Sequence, residues 1–554
     1  MSTETKKLVL DIETNLAHNT IWICVTQDVS TGEIQCHTDA STLKPLVKQY
    51  DQIIGHNIIG FDAPVLRRVW NIGIPKSKAV DTLILSRLLN PQLEGGHSLR
   101  AWGNRLRNDK IEFQAEAFDS GLTEEMREYC IQDVKLTTDL YKHVMSELNQ
   151  WKDPTQSILL EHDIAVICRN QETNGFKLDV QSAISLRNEL ADKMDAIEVE
   201  LQDIFPPIVE ERWSEKTGKQ LKDKVTVFNV GSRKQISERL MTLGWKPKKF
   251  TDKGQPIVDE TTLENIEIPQ AQKIAEYLMM QKRVGLLDAW LKFVQDDDRV
   301  HGAIITNGAV TGRMTHHSPN MGQIPSVNKP YGERCRQLWT VDVGNVLVGT
   351  DLSGIELRCL AHYMQDKEWQ DELLNGDIHQ KNAETAGVTR PQAKTLIYAT
   401  LYGAGASKIG SIVGGGAREG NDILSRFYSG TPALSRLMEK VKKVAVNGYV
   451  PGLDGRRIIV RSEHAALNSL LQGCGAIIAK QWCIEAHKKF KELKIPARQV
   501  AFVHDEIQIE TPEKYSEQVA QIMCQSASQA GITLGFRCPV DAESKIGNNW
   551  FDTH

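Results

Sequence analysis

Three ionisable side chains stand in a row near the end of the chain, in the stretch RQVAFVHDEIQIETPEK. His504, Asp505 and Glu506 are flanked by apolar residues of high β propensity, which predict strands on both sides. Burying a charge there is unfavourable by several kcal/mol unless a partner compensates it. A second aspartate, Asp351, lies where the predicted strand NVLVGTDL runs into a helix. The two aspartates make physical sense together if they share a divalent cation.

A second set of carboxylates lies in the first 150 residues. Asp11 and Glu13, in LVLDIET, are two residues apart on a predicted strand and so point to the same face. Asp62 lies at a predicted strand-to-helix junction, and Tyr129 and Asp133 are four apart on one helix face. If they converge, four carboxylates suit two divalent cations, which can activate water and stabilise the leaving oxygen of a phosphodiester. Taken alone, the first pair also fits an exposed polar face at a strand end.

The helix that follows Asp351 carries a glutamate, Glu356, that could cap its start. Ser353 and Glu356 have the S-x-x-E spacing of a capping box, in which the glutamate side chain accepts from the serine amide. This interpretation leaves Asp351 unexplained. The sequence therefore predicts a capped helix whose start lies beside a carboxylate site.

A basic and aromatic series begins the helix predicted in VTRPQAKTLIYATLYGAG. Arg390, Lys394, Tyr398 and Tyr402 recur every four residues, after the predicted cap Thr389. Basic residues in the first turns of a helix are electrostatically unfavourable, because that end already carries partial positive charge. Their presence makes sense if an anion such as a triphosphate binds there. A solvated basic helix face is the alternative.

The composition is that of a globular protein with several domains. A chain of 554 residues suggests about two to four domains, and 41% hydrophobic with 25% charged residues is an ordinary globular balance. No apolar run approaches the roughly 18 residues of a membrane span, and no signal-peptide core precedes the first strand. Ten cysteines without a CxxC pair indicate neither a zinc knuckle nor a disulfide framework, which fits a cytoplasmic location. The net charge of −5 weakly disfavours nucleic-acid binding.

The pattern of elements divides the chain into three parts. Residues 1 to about 150 alternate strands, such as KLVLDIET and DQIIGHN, with helices, such as LTEEMREYCIQDVKLTTDLYKHVMSEL. Residues from about 155 to 335 are predicted to be mostly helical, with polar interruptions such as ERWSEKTGKQLKDK. From about 340 onward strands return, in NVLVGTDL, GRRIIV and ARQVAFVHDEIQIE.

Several motifs carry a family resemblance in the same order along the chain. DLSGIELR, RPQAKTLIYATLYG and VHDEIQIE resemble motifs A, B and C of the family A, polymerase I-like, DNA polymerases. FNVGSRKQI, TGRMTHHSPNMGQIPS, GDIH and GLDGRR support the resemblance, which is strongest to the replicative polymerases of short-tailed phages. The carboxylates of the first 150 residues resemble the motifs of DEDD-type 3′-5′ proofreading exonucleases with a tyrosine in the third motif.

The resemblance implies a multidomain α/β and α+β fold. A ribonuclease-H-like exonuclease domain would precede a right-hand polymerase with an antiparallel palm sheet and helical fingers and thumb. The implied divisions are 1–150 for the exonuclease domain, 151–340 for the thumb and start of the palm, 341–365 for the palm with motif A, 366–447 for the fingers, and 448–554 for the palm with motif C and the C-terminal segment.

The resemblance also implies residue roles in DNA synthesis. Asp351, Asp505 and Lys394 would be catalytic, and the two aspartates would bind two Mg²⁺ ions with the carbonyl of Leu352. The remaining nucleotide-binding residues would be Arg390, Tyr398, Tyr402, His379 and Glu356, the last of which would exclude ribonucleotides. The DNA-binding residues would be Arg313, Gln323, Gln472 and His504, along the minor groove and the primer end.

The exonuclease roles follow from the same resemblance. Asp11, Glu13, Asp62 and Asp133 would bind two further Mg²⁺ ions, and Tyr129 would orient the attacking water. Mn²⁺ is expected to substitute for Mg²⁺ at both sites. The implied activity is template-directed extension of a primer by deoxynucleotides, with proofreading, in the replication of a phage genome.

The implied partners are primer–template DNA and deoxynucleotides, together with a phage helicase, primase and single-strand-binding protein, and no membrane. The interval from about Phe205 to Val227 is short, which argues against a thioredoxin clamp like that of some phage polymerases. One alternative is an exonuclease with an inactive polymerase half that only grips DNA, although Asp351, Lys394 and Asp505 are intact. A single-subunit RNA polymerase and a non-enzymatic DNA-binding protein are further alternatives.

Overall fold

The first part of the chain is built on a five-stranded mixed sheet. The protein is described by a computed structural model over residues 5–114 and 118–554. The sheet has the order β3-β2-β1-β4-β5, in which β1 pairs antiparallel with β2 and parallel with β4. Its strands are β1 (Lys7–Thr14), β2 (Ile21–Asp28), β3 (Ile34–His37), β4 (Gln52–Gly55) and β5 (Ala79–Asp81). Its helices are α1 (Ala40–Gln49), α2 (Asp62–Trp70), α3 (Thr82–Leu89), α4 (Leu99–Leu106) and α5 (Glu124–Leu148).

Strand β1 is central because its apolar side chains are buried on both faces. Val9 packs with the α5 side of the sheet, whereas Leu8 and Leu10 pack with the α2 side. Helix α5 starts at the predicted place, since Thr123 accepts a hydrogen bond from the Met126 amide and two glutamates fill the first turn. The strand predicted in KLVLDIET and the long helix predicted in LTEEMREY are both confirmed.

The middle of the chain is mostly helical, as predicted. Its helices are α6 (Thr155–Asn174), α7 (Val180–Ile204), α8 (Arg233–Thr242), α9 (Glu260–Glu264), α10 (Pro269–Phe293) and α11 (Gly332–Gln337). Its strands are β6 (Phe176–Leu178), β7 (Ile208–Trp213), β8 (Gln220–Thr226), β9 (Arg299–Val300), β10 (Ala303–Ile305), β11 (Thr315–His317) and β12 (Trp339–Thr340).

The polar stretch ERWSEKTGKQLKDK is not the irregular interruption that its composition predicts. It forms the antiparallel hairpin β7–β8, in which Val209 pairs with Val225. Gly218, with φ +64°, makes the turn. Both strands carry three charged residues in a row and are almost wholly exposed, so neither an apolar run nor an alternation marks them in the sequence.

An antiparallel sheet forms the centre of the last part, in the order β16-β17-β13-β18. Its strands are β13 (Asn345–Leu352), β16 (Arg498–Val503), β17 (Glu506–Pro512) and β18 (Ala542–Gly547), and a separate hairpin pairs β14 (Tyr449–Pro451) with β15 (Arg457–Ile459). The helices are α12 (Ile355–Met364), α13 (Lys367–Asn375), α14 (Ile378–Ala386), α15 (Arg390–Leu401), α16 (Ala406–Ile412), α17 (Ala417–Gly430), α18 (Pro432–Ala445), α19 (Ala466–Glu492) and α20 (Ser516–Thr533). Helix α20 packs against β13 and β18, and α6 packs against β16.

The cysteines are free thiols. All ten are unpaired, and eight of them are buried. Buried free cysteine behaves as a small apolar residue. No helix in residues 5–114 and 118–554 is both long and apolar enough to cross a membrane.

A buried cluster of charges links α6 to the last part of the chain. Glu161 of α6 accepts from Lys480 of α19 at 2.5 Å and pairs with Arg456 at 2.7 Å. Arg456 also pairs with Asp454 at 2.7 Å, and at most 4% of each of the four side chains is exposed. The cluster holds two positive and two negative charges, so each buried charge has a partner of opposite sign.

Replacing Glu161 by alanine is expected to destabilise the protein by about 3–5 kcal/mol, because Lys480 and Arg456 would lose a shared buried partner. The measurement is the shift of the urea unfolding midpoint. Asp163→Ala is the matched control, since Asp163 lies on the same helix and its 2.9 Å pair with Lys76 is exposed. An exposed pair contributes about 0–1 kcal/mol. Equal shifts for the two variants would contradict the prediction.

Candidate active sites

The four carboxylates of the first part come together at one end of β1. Asp11 and Glu13 lie on β1, Asp62 is the first residue of α2, and Asp133 lies on α5. Glu13, Asp62 and Asp133 are buried, and Asp11 is half-buried. Each influences the ionisation of one or more of the others. Tyr129, one turn before Asp133 on α5, lies at the same place.

Burial and mutual repulsion raise the pKa values of the carboxyl groups in this cluster. Burial, with the charge of Asp133, raises the pKa of Asp11 to about 7. Burial, with the charges of Asp11 and Asp133, raises the pKa of Glu13 to about 10. The pKa of Asp62 is raised well above its usual value, mainly by burial. Carboxylates crowded in this way are stabilised by divalent cations, which offset the repulsion.

The donor atoms fit hard cations. One carboxylate oxygen each of Asp11 and Glu13 and the Cys130 sulfur lie within 4.8 Å of one another. Asp133 Oδ1 is buried with no hydrogen-bond partner in the described chain. Cys130 lies 3.6 Å from Asp11 Oδ2, where its thiol donates to the carboxylate. Oxygen ligands are those that Mg²⁺ prefers. The residues therefore fit a Mg²⁺-type site made of carboxylates.

One residue of this cluster was not found from the sequence. Lys110 donates to Asp133 and lies over the Tyr129 ring, with its nitrogen 4.6 Å from the ring centroid. It lies in an irregular segment after α4, where no periodicity or motif singles out one lysine. Only the tertiary fold brings this segment to α5.

The two aspartates of the last part also meet, at the end of the antiparallel sheet. Asp351 lies at the end of β13, and the Leu352 amide donates to the backbone carbonyl of Asp505 at 3.1 Å. The strands predicted on both sides of His504 and Asp505 are confirmed as β16 and β17. The two residues form the tight turn between β16 and β17, where His504 has φ +59°. A turn leaves both side chains free to reach the cleft beside the sheet.

The carboxylates at this end differ in their surroundings. Asp351 is exposed, but desolvation by neighbouring atoms and the charges of Asp505 and Glu506 raise its pKa to about 7. Burial raises the pKa of Asp505. Glu506 is instead satisfied within the fold, because it accepts from Trp550 Nε1 and from Gln508 Nε2 at 2.7 Å. Protein groups therefore stabilise the buried charge of Glu506. The charges of Asp351 and Asp505 have no such partners in the described part of the chain, so a bound cation would have to stabilise them.

Glu356 does not cap its helix. Gly354, with φ +56°, turns the chain so that α12 begins at Ile355 without a side-chain cap, and the Ser353 hydroxyl has no partner in the described chain. The predicted capping box is therefore wrong. Glu356 instead accepts from the Tyr402 hydroxyl at 2.8 and 3.1 Å and lies 3.4 Å from Arg313.

Helix α15 begins as predicted, with a capping box between Thr389 and Gln392. Arg390 and Lys394 are exposed in its first two turns, and Arg390 pairs with Asp377 at 2.6 Å. His379 of α14 lies near both cations, and its pKa is lowered by burial and by their charges. This end of the helix is a cationic surface that suits an anion.

Tyrosines continue α15 toward the aspartates. Tyr398 has a raised pKa, because it is partly buried and lies near the charges of Glu356 and Asp505. Tyr402 is the C-terminal cap residue of the helix and is half exposed. Helix α15 therefore runs from its cationic N-terminal end to two tyrosines that lie near Glu356 and, for Tyr398, near Asp505.

The predicted DNA-binding residues are only partly brought together. Arg313 lies near His504 and Asp505 as well as Glu356. Gln323 is exposed in a short 3-10 helix that contacts β16. Gln472 is half-buried in α19, and its side chain makes no hydrogen bond to the described part of the chain.

Comparison with known families matches residues 209–552 to DNA polymerase family A and residues 3–149 to 3′-5′ exonuclease. The first match spans more than half of the chain. The chain therefore belongs to DNA polymerase family A, with a 3′-5′ exonuclease domain ahead of the polymerase domain. The family resemblance and fold class inferred from the motifs are thereby confirmed, and a single-subunit RNA polymerase is disfavoured. Both families are generally metal-dependent.

Phage enzymes are among the similar proteins. The DNA-directed DNA polymerase of Escherichia phage T7 is 33% identical over 706 aligned positions, which cover 99% of this chain and 100% of the relative. That of Enterobacteria phage T3 is 33% identical over 94% of this chain and 95% of the relative. The T7 alignment is longer than the 554 residues of this chain, so that relative contains segments without counterpart here.

A solved structure shares the fold. The polymerase domain of Pol1 from M. smegmatis, in complex with DNA primer-template and dNTP, has a TM-score of 0.80. It covers 100% of this chain and 96% of its own length, at 20% identity. At that identity the likeness concerns the fold alone, and it extends over the whole chain.

Proposed function

We propose that this protein extends a primer 3′-hydroxyl with deoxynucleotides on a DNA template and proofreads the product with its 3′-5′ exonuclease site. The observation that carries the proposal is the meeting of Asp351 and Asp505 near α15, which runs from its cationic start to Tyr398, close to the charge of Asp505. Phosphoryl transfer requires such a neighbourhood, with hard-cation ligands next to a group that holds a polyphosphate. Replication of a phage genome is the biological setting that we propose.

The polymerase site would divide the work between its two ends. Asp351 and Asp505, with the carbonyl of Leu352, would hold two Mg²⁺ ions, and Arg390 and Lys394 would bind the triphosphate with His379 nearby. Bound Mg²⁺ would lower the pKa of the attacking hydroxyl and offset the charge on the phosphates. Lys394 would also offset charge on the phosphate in transit. Tyr398 and Tyr402 would pack against the sugar and the templating pair.

The exonuclease site would act on a frayed primer end. Asp11, Glu13, Asp62 and Asp133 would hold two further Mg²⁺ ions, with Mn²⁺ as a substitute. Tyr129 would orient the attacking water through its half-buried phenol, which stays protonated at neutral pH. A mispaired end frays readily, which favours its transfer to a site that takes a single strand.

The minor groove of the primer–template, where all base pairs present similar acceptors, would be contacted by Arg313, Gln323, Gln472 and His504.

The proposed domain divisions are 1–150 for the exonuclease, 151–340 for the thumb and start of the palm, 341–365 and 448–554 for the palm, and 366–447 for the fingers. A host-cell cytoplasm and replication partners such as a helicase, a primase and a single-strand-binding protein belong to the same proposal. The short interval before Val227 favours synthesis without a thioredoxin clamp.

Replacing Glu356 by alanine is expected to raise ribonucleotide incorporation relative to deoxynucleotide by roughly 10–200-fold, the range for one misfit group in a pocket. The carboxylate is held by Tyr402 and Arg313, so it cannot move aside freely for a 2′-hydroxyl. Single-nucleotide incorporation with matched ribo- and deoxynucleotides measures the ratio. Glu356→Gln keeps the side-chain size and the bond to Tyr402 and should retain discrimination. An unchanged ratio in Glu356→Ala would contradict the assignment.

The test of the proposed function is a labelled, recessed primer–template incubated with the protein and Mg²⁺. With deoxynucleotides the primer should lengthen to the template end, and without them it should shorten from its 3′ end. Chelation of Mg²⁺ should stop both. Shortening without lengthening would instead favour an exonuclease whose polymerase half only grips DNA. Salt-sensitive binding without either reaction would favour a non-enzymatic DNA-binding protein.

A further inference from the structure

Lys110 is the one cation paired with an exonuclease-site carboxylate in the described chain. Its ammonium donates to Asp133 Oδ2, and only 18% of its side chain is exposed. A buried, charged lysine that is committed to one carboxylate is a fixed part of the site.

The two oxygens of Asp133 have different surroundings. Oδ2 accepts from Lys110, whereas Oδ1 is buried without a hydrogen-bond partner in the described chain. A buried, unpartnered carboxylate oxygen is unfavourable unless something binds it. The lysine therefore anchors the carboxylate by one oxygen and leaves the other available.

The same ammonium contacts the second functional group of α5. Its nitrogen lies over the Tyr129 ring, 4.6 Å from the ring centroid. Phe113, from the same segment as Lys110, packs against the Tyr129 ring with centroids 5.3 Å apart. Lys110 thus bridges two side chains one helical turn apart, and its own segment supports one of them.

We propose that Lys110 is a positioning residue of the exonuclease site, which fixes the orientation of Asp133 and Tyr129 for metal binding and water attack. The inference rests on the proposed exonuclease function. Partners of metal ligands are typically worth about 10–100-fold in metal affinity or activity. The polymerase site differs, because in the parts of the chain that the structure describes no lysine pairs with Asp351 or Asp505.

The experiment compares Lys110→Met, Lys110→Arg and a matched control, Lys7→Met. Lys7 is a lysine of the same domain that lies over a tyrosine ring, Tyr141, at 5.7 Å, without pairing to the cluster. Shortening of a single-stranded oligonucleotide gives kcat and KM. Mn²⁺ binding is measured by titration in full-length protein that also carries Asp351→Ala and Asp505→Ala, so that the exonuclease site dominates.

We expect Lys110→Met to lower kcat, Mn²⁺ affinity or both by about 10–100-fold, with KM for the oligonucleotide changed by less than about threefold. Lys110→Arg should recover much of the loss, because a guanidinium can also donate to Asp133. Lys7→Met should behave as wild type. Primer extension by Lys110→Met should stay at the wild-type level, which shows that the chain is folded.

Two results would overturn the inference. Tighter Mn²⁺ binding in Lys110→Met would mean that the lysine competes with the metal rather than positioning its ligand. Unchanged kcat and Mn²⁺ affinity, even with a lower thermal midpoint, would mean that the lysine serves stability alone. If wild type shortens no substrate, the proposed function fails on its own, and the Mn²⁺ titration still decides the role of Lys110.

Discussion

Replacing Asp505 by asparagine, or Asp351 by alanine, is expected to abolish primer extension and leave primer shortening intact. Each change removes a ligand charge from the place where phosphate charge would be offset. A loss of about 4 kcal/mol in transition-state stabilisation corresponds to roughly a thousandfold in rate. The exonuclease carboxylates lie on β1, α2 and α5, around a separate sheet, so their chemistry does not depend on this pair. Single-turnover extension with a labelled primer measures the loss.

The matched control for this prediction is Glu543→Gln. Glu543 is exposed and lies directly opposite Asp351 on the neighbouring strand β18. Its replacement by glutamine therefore removes one negative charge a few ångströms from Asp351. It should change the extension rate by less than about threefold, in keeping with a screened surface charge. If Glu543→Gln and Asp505→Asn lose equal activity, the effect is one of net charge in the cleft. If Asp505→Asn extends normally, the assignment of Asp505 as a metal ligand fails.

The features that the sequence predicts well are those that local chemistry determines. β1 and β13 are apolar runs that end in carboxylates, so both the strands and the place of the acids follow from the pattern. The start of α15 follows from Thr389 and Gln392, which form a capping box over three residues. In each case the residues that determine the feature lie within the same short segment, so the sequence of that segment is enough to predict it.

The features that it predicts poorly depend on distant partners. Glu356 has the spacing of a capping box, but Gly354 adopts a left-handed conformation and Tyr402, 46 residues away, takes the carboxylate instead. Glu161 meets Lys480 across 319 residues, and no local pattern marks either of them. Long-range electrostatic pairing decides such positions, and local propensity gives way to it.

Replacing Asp11 and Glu13 together by alanine is expected to abolish primer shortening and, in the absence of metal, to raise stability. Shortening should fall by roughly a thousandfold, as two ligand charges are lost. Metal-free stability should rise by about 1–3 kcal/mol at pH 8. Each unit by which the fold raises a carboxyl pKa costs about 1.4 kcal/mol when that group ionises, and the variant removes this cost. Lost packing offsets part of the gain. Thermal unfolding in chelator measures the second effect.

The sign of the pH dependence follows from the raised pKa values. In the unfolded chain both carboxyls lose their protons near pH 4, whereas in the fold the pKa of Asp11 is about 7 and that of Glu13 about 10. Between these limits the folded chain binds more protons than the unfolded chain, so metal-free stability falls as the pH rises from about 5 to 8. The double variant should show a shallower slope rather than none, because Asp62 and Asp351 keep their raised pKa values.

Metal should reverse the order of stability. Mg²⁺ binds the folded wild-type cluster and so raises its thermal midpoint, whereas the double variant offers fewer ligands and should gain less. Glu124→Ala with Glu125→Ala is the control, because it removes two exposed carboxylates from the same domain. Those residues lie in the first turn of α5, where each acid contributes about 0.3–1 kcal/mol, so this control should lose a little stability. A metal-free midpoint that falls in the Asp11/Glu13 variant would mean that the carboxylates hold the fold together without a cation, and the two-metal assignment would lose its electrostatic basis.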